Sequence, residues 1–146
     1  MNKLFYLLVS FLTVGLMVSC KEKNGAESVN TGSLIGMWES YNFQETGDGG
    51  YNRATGEYSF QFDGTKAMLG LANGYGGEGA EVYVVDCPVS ENDTKVRINF
   101  ETKGGEQALV VATLSNGKLI VQEVHETWDW NYVYYCTKKS DKASIK

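Results

Sequence analysis

The chain has 146 residues, with 18 acidic side chains against 13 basic ones and a formal net charge of −5 at pH 7. This length is enough for one domain with one hydrophobic core. The acidic balance argues against a nucleic-acid partner, which needs clustered Lys and Arg, and against charge-driven binding of anionic lipid head groups.

Residues 1–19 have the layout of a secretory signal peptide. Lys3 precedes the apolar run 4–18, and the small residue Ser19 stands directly before Cys20. The cysteine at the cleavage site makes the segment similar to a bacterial lipoprotein signal, in which Cys20 receives the lipid and becomes the first mature residue. The alternative, a short transmembrane helix, is disfavoured because roughly 15 apolar residues fall short of the roughly 20 that span a bilayer.

The rest of the chain divides by composition into three parts. Residues 20–32 are polar and lack an apolar period, which predicts a lipid-anchored flexible tether. Residues 33–138 carry the apolar patterning of a domain, and residues 139–146 are predicted to be a polar tail. Lys21, rather than Asp, follows Cys20, and this favours the outer membrane as the destination.

Helical periodicity is absent from the domain, and short β-forming runs are separated by Gly, Asn and Asp. Asp63-Gly64 and Asn116-Gly117 predict tight hairpin turns. Short connections pair sequential strands antiparallel, so the predicted fold is all-β: an eight-stranded antiparallel up-and-down barrel, with a two-sheet sandwich as the alternative. The eight predicted strands are Gly36–Phe43, Glu57–Phe62, Lys66–Ala72, Ala80–Cys87, Thr94–Phe100, Gln107–Leu114, Lys118–Glu123 and Asn131–Thr137.

The predicted connections give the barrel two different ends. Tight turns close one end, and longer Gly-rich loops lie at the other, which we predict to be the mouth. The mouth loops carry Tyr51, Tyr75 and Trp128, which are predicted to recognise a ligand or a partner because exposed loop aromatics seldom stabilise a core.

Apolar side chains that alternate along the strands are predicted to face inward and to bind the apolar part of a ligand. The alternative is that they fill the barrel, since an eight-stranded barrel is barely wider than its own side chains. The predicted inner face consists of Tyr58, Phe60, Phe62, Val96, Ile98, Leu109, Val111, Trp130, Tyr132 and Tyr134.

Gly36-Met37-Trp38 opens the first strand, and eight β-runs follow it. In this the chain resembles the lipocalins, and more closely the small lipocalin-like lipoproteins of bacteria. The resemblance implies structural roles for Gly36 and Trp38, with Trp38 plugging the closed end. The late Arg that stacks on this Trp in the classical family is missing, and Lys138 or Lys139 is the available substitute.

Besides the lipidated Cys20, the predicted mature chain contains Cys87 and Cys136. Export to an oxidising compartment favours a disulfide between them, and the resemblance to lipocalins points the same way. The alternative is a pair of buried free thiols that pack as small hydrophobes.

No catalytic residue, metal site or cofactor is predicted. Residues 74–79 match GxGxxG, but a strand follows them where a dinucleotide site needs a helix. His125 is the only histidine, and it is predicted to be a loop residue among solvated charges.

These patterns predict a cell-envelope protein that is anchored to the membrane by lipid on Cys20. The expected partner is a small hydrophobic or amphipathic ligand. The alternative is a protein-interaction or inhibitor module with a solid core, which would use its loop aromatics to bind another envelope protein.

Overall fold

The computed structural model describes residues 28–46, 52–53, 57–72, 80–127 and 131–146. These residues hold no helix, and therefore none that is long and apolar enough to cross a membrane. The strands are β1 (Gly36–Thr46), β2 (Asn52–Arg53), β3 (Ser59–Phe62), β4 (Lys66–Ala72), β5 (Ala80–Asp86), β6 (Lys95–Glu101), β7 (Gln107–Ser115), β8 (Lys118–His125) and β9 (Asn131–Ser140).

The strands form one antiparallel sheet in the order β5-β4-β3-β1-β9-β8-β7-β6, and the short strand β2 pairs with β1 off this path. Pairing of β1 with β9 joins the first strand to the last strand and rolls the sheet into a barrel. The prediction of an eight-stranded antiparallel up-and-down barrel is confirmed, in a nearly closed form. It is consistent with the lipocalin-like barrel expected from the sequence.

The barrel has a seam between β5 and β6, which stand at the two ends of the strand order and are not hydrogen-bonded to each other. Side chains close this seam. The rings of Tyr83 and Phe100 lie 5.0 Å apart across it, and the Lys103 ammonium lies 5.5 Å from the centre of the Tyr83 ring. The Tyr83 hydroxyl donates to Glu81 Oε2 at 2.6 Å, and burial together with this bond raises the pKa of Tyr83. Side-chain packing therefore replaces the backbone ladder at this one junction.

Aromatic rings fill the middle of the barrel. Phe43 lies 5.1 to 5.2 Å from the rings of Tyr58, Tyr132 and Tyr134, and Tyr134 lies 5.1 Å from Phe60. All five side chains are at most 1% exposed. Such ring pairs add about 0.5–1.5 kcal/mol each beyond their area burial. The contacts explain why the interior packs as a solid core at this level.

Trp38 lies at the closed end, where β1 begins and β9 ends. It is fully buried, and its Nε1–H donates to the Leu34 carbonyl at 2.9 Å. The Lys138 ammonium lies 5.4 Å from the centre of the Trp38 ring and donates to the carbonyls of Asn30 (2.6 Å) and Ser33 (3.1 Å). Lys138 therefore places a cation against the Trp38 ring, as the late arginine does in the classical lipocalins.

The same end explains the need for Gly36. Its φ is +130°, and an added Cβ would stand 2.3 Å from the Ser140 carbonyl oxygen and 2.7 Å from Lys138 Cε. Asp141 completes the end: it pairs with Lys138 at 3.2 Å and accepts from the Asn30 N–H at 2.7 Å. These contacts, the Asn30 bond first, lower the pKa of Asp141.

The described residues of the two polar segments that flank the domain, 28–32 and 139–146, make contacts with the barrel. Asn30, in the predicted tether, is bonded to Lys138 and Asp141. At the other terminus, β9 continues to Ser140, and the Ser144 N–H donates to Gln61 Oε1 at 2.6 Å. Backbone and polar side-chain hydrogen bonds therefore hold these described residues against the barrel.

The predicted inner face is wrong on β7. Leu109 and Val111 pair across the ladder with the exposed Asn99 and Arg97, so they face outward. The inward residues of β7 belong to the other set, Ala108, Val110 and Ala112. Both faces of this strand are apolar, so alternation cannot choose between them. The Asn116-Gly117 turn sets the register instead, with φ of 50° and 74°.

The predicted disulfide is absent, because Cys87 and Cys136 are both free and buried. Cys136 lies in β9, whereas Cys87 follows β5, and three strands separate β5 from β9 in the sheet. A disulfide needs Cα atoms within about 7 Å. Burial raises the pKa of both thiols. Each cysteine therefore packs as a small apolar side chain.

We expect Lys138→Met to lower the free energy of unfolding by about 2–4 kcal/mol, because it leaves two carbonyls without their donor under the closed end. The matched control is Lys139→Met on the exposed face of the same strand, which should cost less than about 0.5 kcal/mol. Urea unfolding of both variants measures the difference. Equal effects of the two substitutions would contradict this account of the closed end.

Candidate functional site

Five polar side chains lie inside the barrel at the end opposite Trp38, where β1 and β8 end and β9 begins; this end is the predicted mouth, and we call it the open end. We call Glu45, Glu123, His125, Tyr132 and Tyr134 the polar cluster. Cross-strand register brings them together: Tyr132 of β9 pairs with Glu45 of β1 on one side and with Glu123 of β8 on the other. All five are at most 8% exposed. Acidic side chains are almost never buried to this extent unless they are paired or functional.

Glu123 is held rigidly from two sides. Its Oε1 lies 2.7 Å from His125 Nε2, and its Oε2 accepts the Tyr134 hydroxyl at 2.5 Å. The Tyr134 oxygen also accepts the backbone N–H of Ala72 at 2.8 Å, which ties the cluster to β4. Burial, followed by the charge of Glu123, raises the pKa of Tyr134 well above its usual value. The phenol therefore remains a hydrogen-bond donor to the carboxylate.

His125 differs from its prediction as a solvated loop residue. It is the last residue of β8 and is 4% exposed. Its ring lies between two carboxylates, with Nε2 at Glu123 and Nδ1 at 3.9 Å from Glu106 Oε2. Glu106 also accepts the Thr127 hydroxyl at 2.8 Å. The prediction failed because β8 is two residues longer than its apolar pattern indicates, and both Glu123 and His125 continue the inward alternation of that strand.

Glu45 was not predicted as a site residue, and a bulge in β1 is the reason. The register with β9 shifts between Ser40 and Asn42, so the inward set changes from Trp38 and Ser40 to Phe43 and Glu45. Simple alternation from Trp38 would place Glu45 outside. It is 8% exposed, and its Oε2 has no hydrogen-bond partner.

The residues predicted to bind a ligand separate into three groups. Tyr58, Phe60, Phe62, Ile98, Tyr132 and Tyr134 are inward and buried, and Val96 is half-buried against the same core. Leu109 and Val111 face outward. Trp130, the loop residues Tyr51, Tyr75 and Trp128, and the lipidation residue Cys20 lie outside the described residues.

One surface depression of about 350 Å³ lies on the outer face of β6, β7 and β8 rather than inside the barrel. Asn99, Leu109 and Val124 line it, and they are cross-strand neighbours on the outward side. Its walls carry no buried charge. Among the described residues, the buried carboxylates Glu45 and Glu123 both lie in the polar cluster.

Within the described ranges, no three His, Cys, Asp or Glu side chains are grouped as a metal site requires. Comparisons of the chain with protein-family models, with curated proteins and with solved structures give no match. A function for this protein is therefore inferred from the polar cluster and its position in the barrel.

We expect Tyr134→Phe to lower the free energy of unfolding by about 2–3 kcal/mol, because the buried Ala72 N–H and Glu123 Oε2 both lose their partner. Tyr135→Phe is the matched control. It removes a half-exposed hydroxyl that donates to Gln44 at 3.0 Å and should cost less than about 1 kcal/mol. Thermal unfolding of the two variants measures both effects, and a Tyr134→Phe variant as stable as the control would refute the role given to this hydroxyl.

Proposed function

We propose that this protein is a cell-envelope lipoprotein, anchored through acyl chains on Cys20, whose lipocalin-like barrel binds a small amphipathic ligand at its open end. The single observation that supports the proposal is the buried polar cluster under that end. Its carboxylate Glu123 is fixed by two short hydrogen bonds, to His125 and Tyr134. A few well-placed polar groups beside aromatic walls are typical of small-molecule sites.

The cost of burying these groups argues for a role beyond stability. Ionised side chains lose hydration on burial, and well-packed apolar residues of similar size often stabilise a core as well or better. The middle of this barrel follows that rule with Phe43 and Phe60, and the charge that is buried at the closed end, Lys138, is paired with Asp141. The open end departs from it with Glu45 and Glu123. Such departures cluster at functional sites.

The filled middle limits where a ligand can lie. Rings 5.1 to 5.2 Å apart occupy the barrel at the level of Phe43, Tyr58 and Tyr134. The ligand therefore binds above this layer, with its apolar part on the upper ring faces and its polar part at the cluster. We therefore propose a shallower ligand site than the deep pocket that the sequence predicted from the whole inner face of the barrel.

A second candidate function is a protein-interaction module, and the same filled interior favours it. Exposed apolar side chains supply contact area on the outside of the barrel: Tyr41 is 45% exposed, Val82 50% and Val84 44%. Val82 and Val84 lie on β5, the strand at the seam, where a further strand could add to the sheet edge. This function needs no small ligand.

Native mass spectrometry of the full chain, purified in mild detergent after exposure to a bacterial lipid and metabolite extract, tests the proposal. We expect a discrete bound mass that is released on denaturation. The bound fraction should fall in Glu123→Gln and persist in Glu39→Gln, an outward position on β1. An unliganded mass for the parent chain under all conditions would contradict ligand binding and favour the interaction module.

A further inference from the structure

We infer that the ligand carries a protonated amine and that Glu45 is the residue that receives it. The inference rests on the proposed function, because it names the chemistry of the ligand at the same open end.

Glu45 is the carboxylate that is available to a ligand. Both oxygens of Glu123 are already engaged, one with His125 and one with Tyr134. Glu45 Oε2 is buried and lacks a partner, although its residue is only 8% exposed. A buried carboxylate oxygen without a donor is costly, and a donor on a bound ligand removes that cost. The ligand atom at this place is therefore a hydrogen-bond donor.

The charge around Glu45 favours a cationic donor over a neutral one. Glu45 and Glu123 flank Tyr132, with strand spacing that separates their Cα atoms by roughly 10 Å. Glu106 adds a third carboxylate next to His125. The described lysine ion pairs lie elsewhere, at Lys66–Asp86 and Lys138–Asp141. Among the side chains that the structure describes at this end, the carboxylates of Glu45, Glu123 and Glu106 outnumber the single imidazole of His125, so an anionic head group is repelled.

Aromatic rings beside the carboxylate suit the carbon part of such a ligand. The Tyr132 ring stands between the two glutamates in register, and Phe43, two residues before Glu45, lies 5.2 Å from it. Ring faces attract ammonium groups and also bury methylenes or a phenyl group. The ligand class is therefore an amphipathic primary amine with an aryl or alkyl body.

Three probes that differ only in their end group separate the possibilities: 2-phenylethylamine, 2-phenylethanol and 3-phenylpropionate. Isothermal titration calorimetry measures their binding at pH 7 to the full chain in lipid nanodiscs, with empty nanodiscs as the blank. We expect the amine to bind about tenfold or more tightly than the alcohol, and the carboxylate to bind most weakly.

Glu45→Gln removes the charge while keeping a side chain of the same shape. This variant should lose about tenfold or more in amine affinity, with little change for the alcohol. Glu39→Gln, outward on the same strand, should bind all three probes as the parent chain does. Thermal unfolding of Glu45→Gln should match the parent chain or exceed it, because the substituted oxygen has no partner to lose.

Three results would overturn the inference. The first is an alcohol or carboxylate that binds as tightly as the amine, and the second is amine affinity that survives in Glu45→Gln. Either result leaves ligand binding at the open end intact, since a probe still binds. Failure of the amine to bind also overturns the inference, and native mass spectrometry then decides separately whether another ligand occupies the barrel.

Discussion

The buried ammonium of Lys138 is the interaction on which the closed barrel depends. Its side chain is 1% exposed, and it contacts the Trp38 ring, the carbonyls of Asn30 and Ser33 and the carboxylate of Asp141. These groups come from the segment before β1, from β1 itself and from the residue that follows β9. One cation therefore links β1 and β9, the first and last strands, whose pairing rolls the sheet into a barrel. At the opposite junction, between β5 and β6, only side-chain packing joins the strands.

The two ends of the barrel treat buried charge in opposite ways. At the closed end, each contact of Lys138 offsets the loss of hydration that burial brings. At the open end, Glu123 is satisfied, but Glu45 retains a buried oxygen without a donor. This difference between a completed and an incomplete polar network is the physical basis for placing function at the open end.

Sequence patterning predicted the strands, the tight turns and the barrel, because apolar alternation and Asn-Gly or Asp-Gly turns are local signals. The site was not predictable in the same way. A bulge after Ser40 turns Glu45 inward, and only the paired register reveals it. Glu123 was overlooked, and His125 was assigned to a loop, because polar side chains on an inward face break the pattern used to find that face. Similarly, β7 is apolar on both faces, so its hairpin with β8 decides which of its residues face inward.

We propose a barrel that is closed at Trp38 and binds an amine at Glu45. Side-chain and backbone NMR shifts of the isotopically labelled full chain, titrated with 2-phenylethylamine, locate the binding site. We expect shifts confined to the open end, at Glu45, Glu123, His125 and Tyr132, with the Trp38 indole N–H unmoved. Shifts centred on Trp38 and Lys138, or on the outer depression at Leu109, would contradict it.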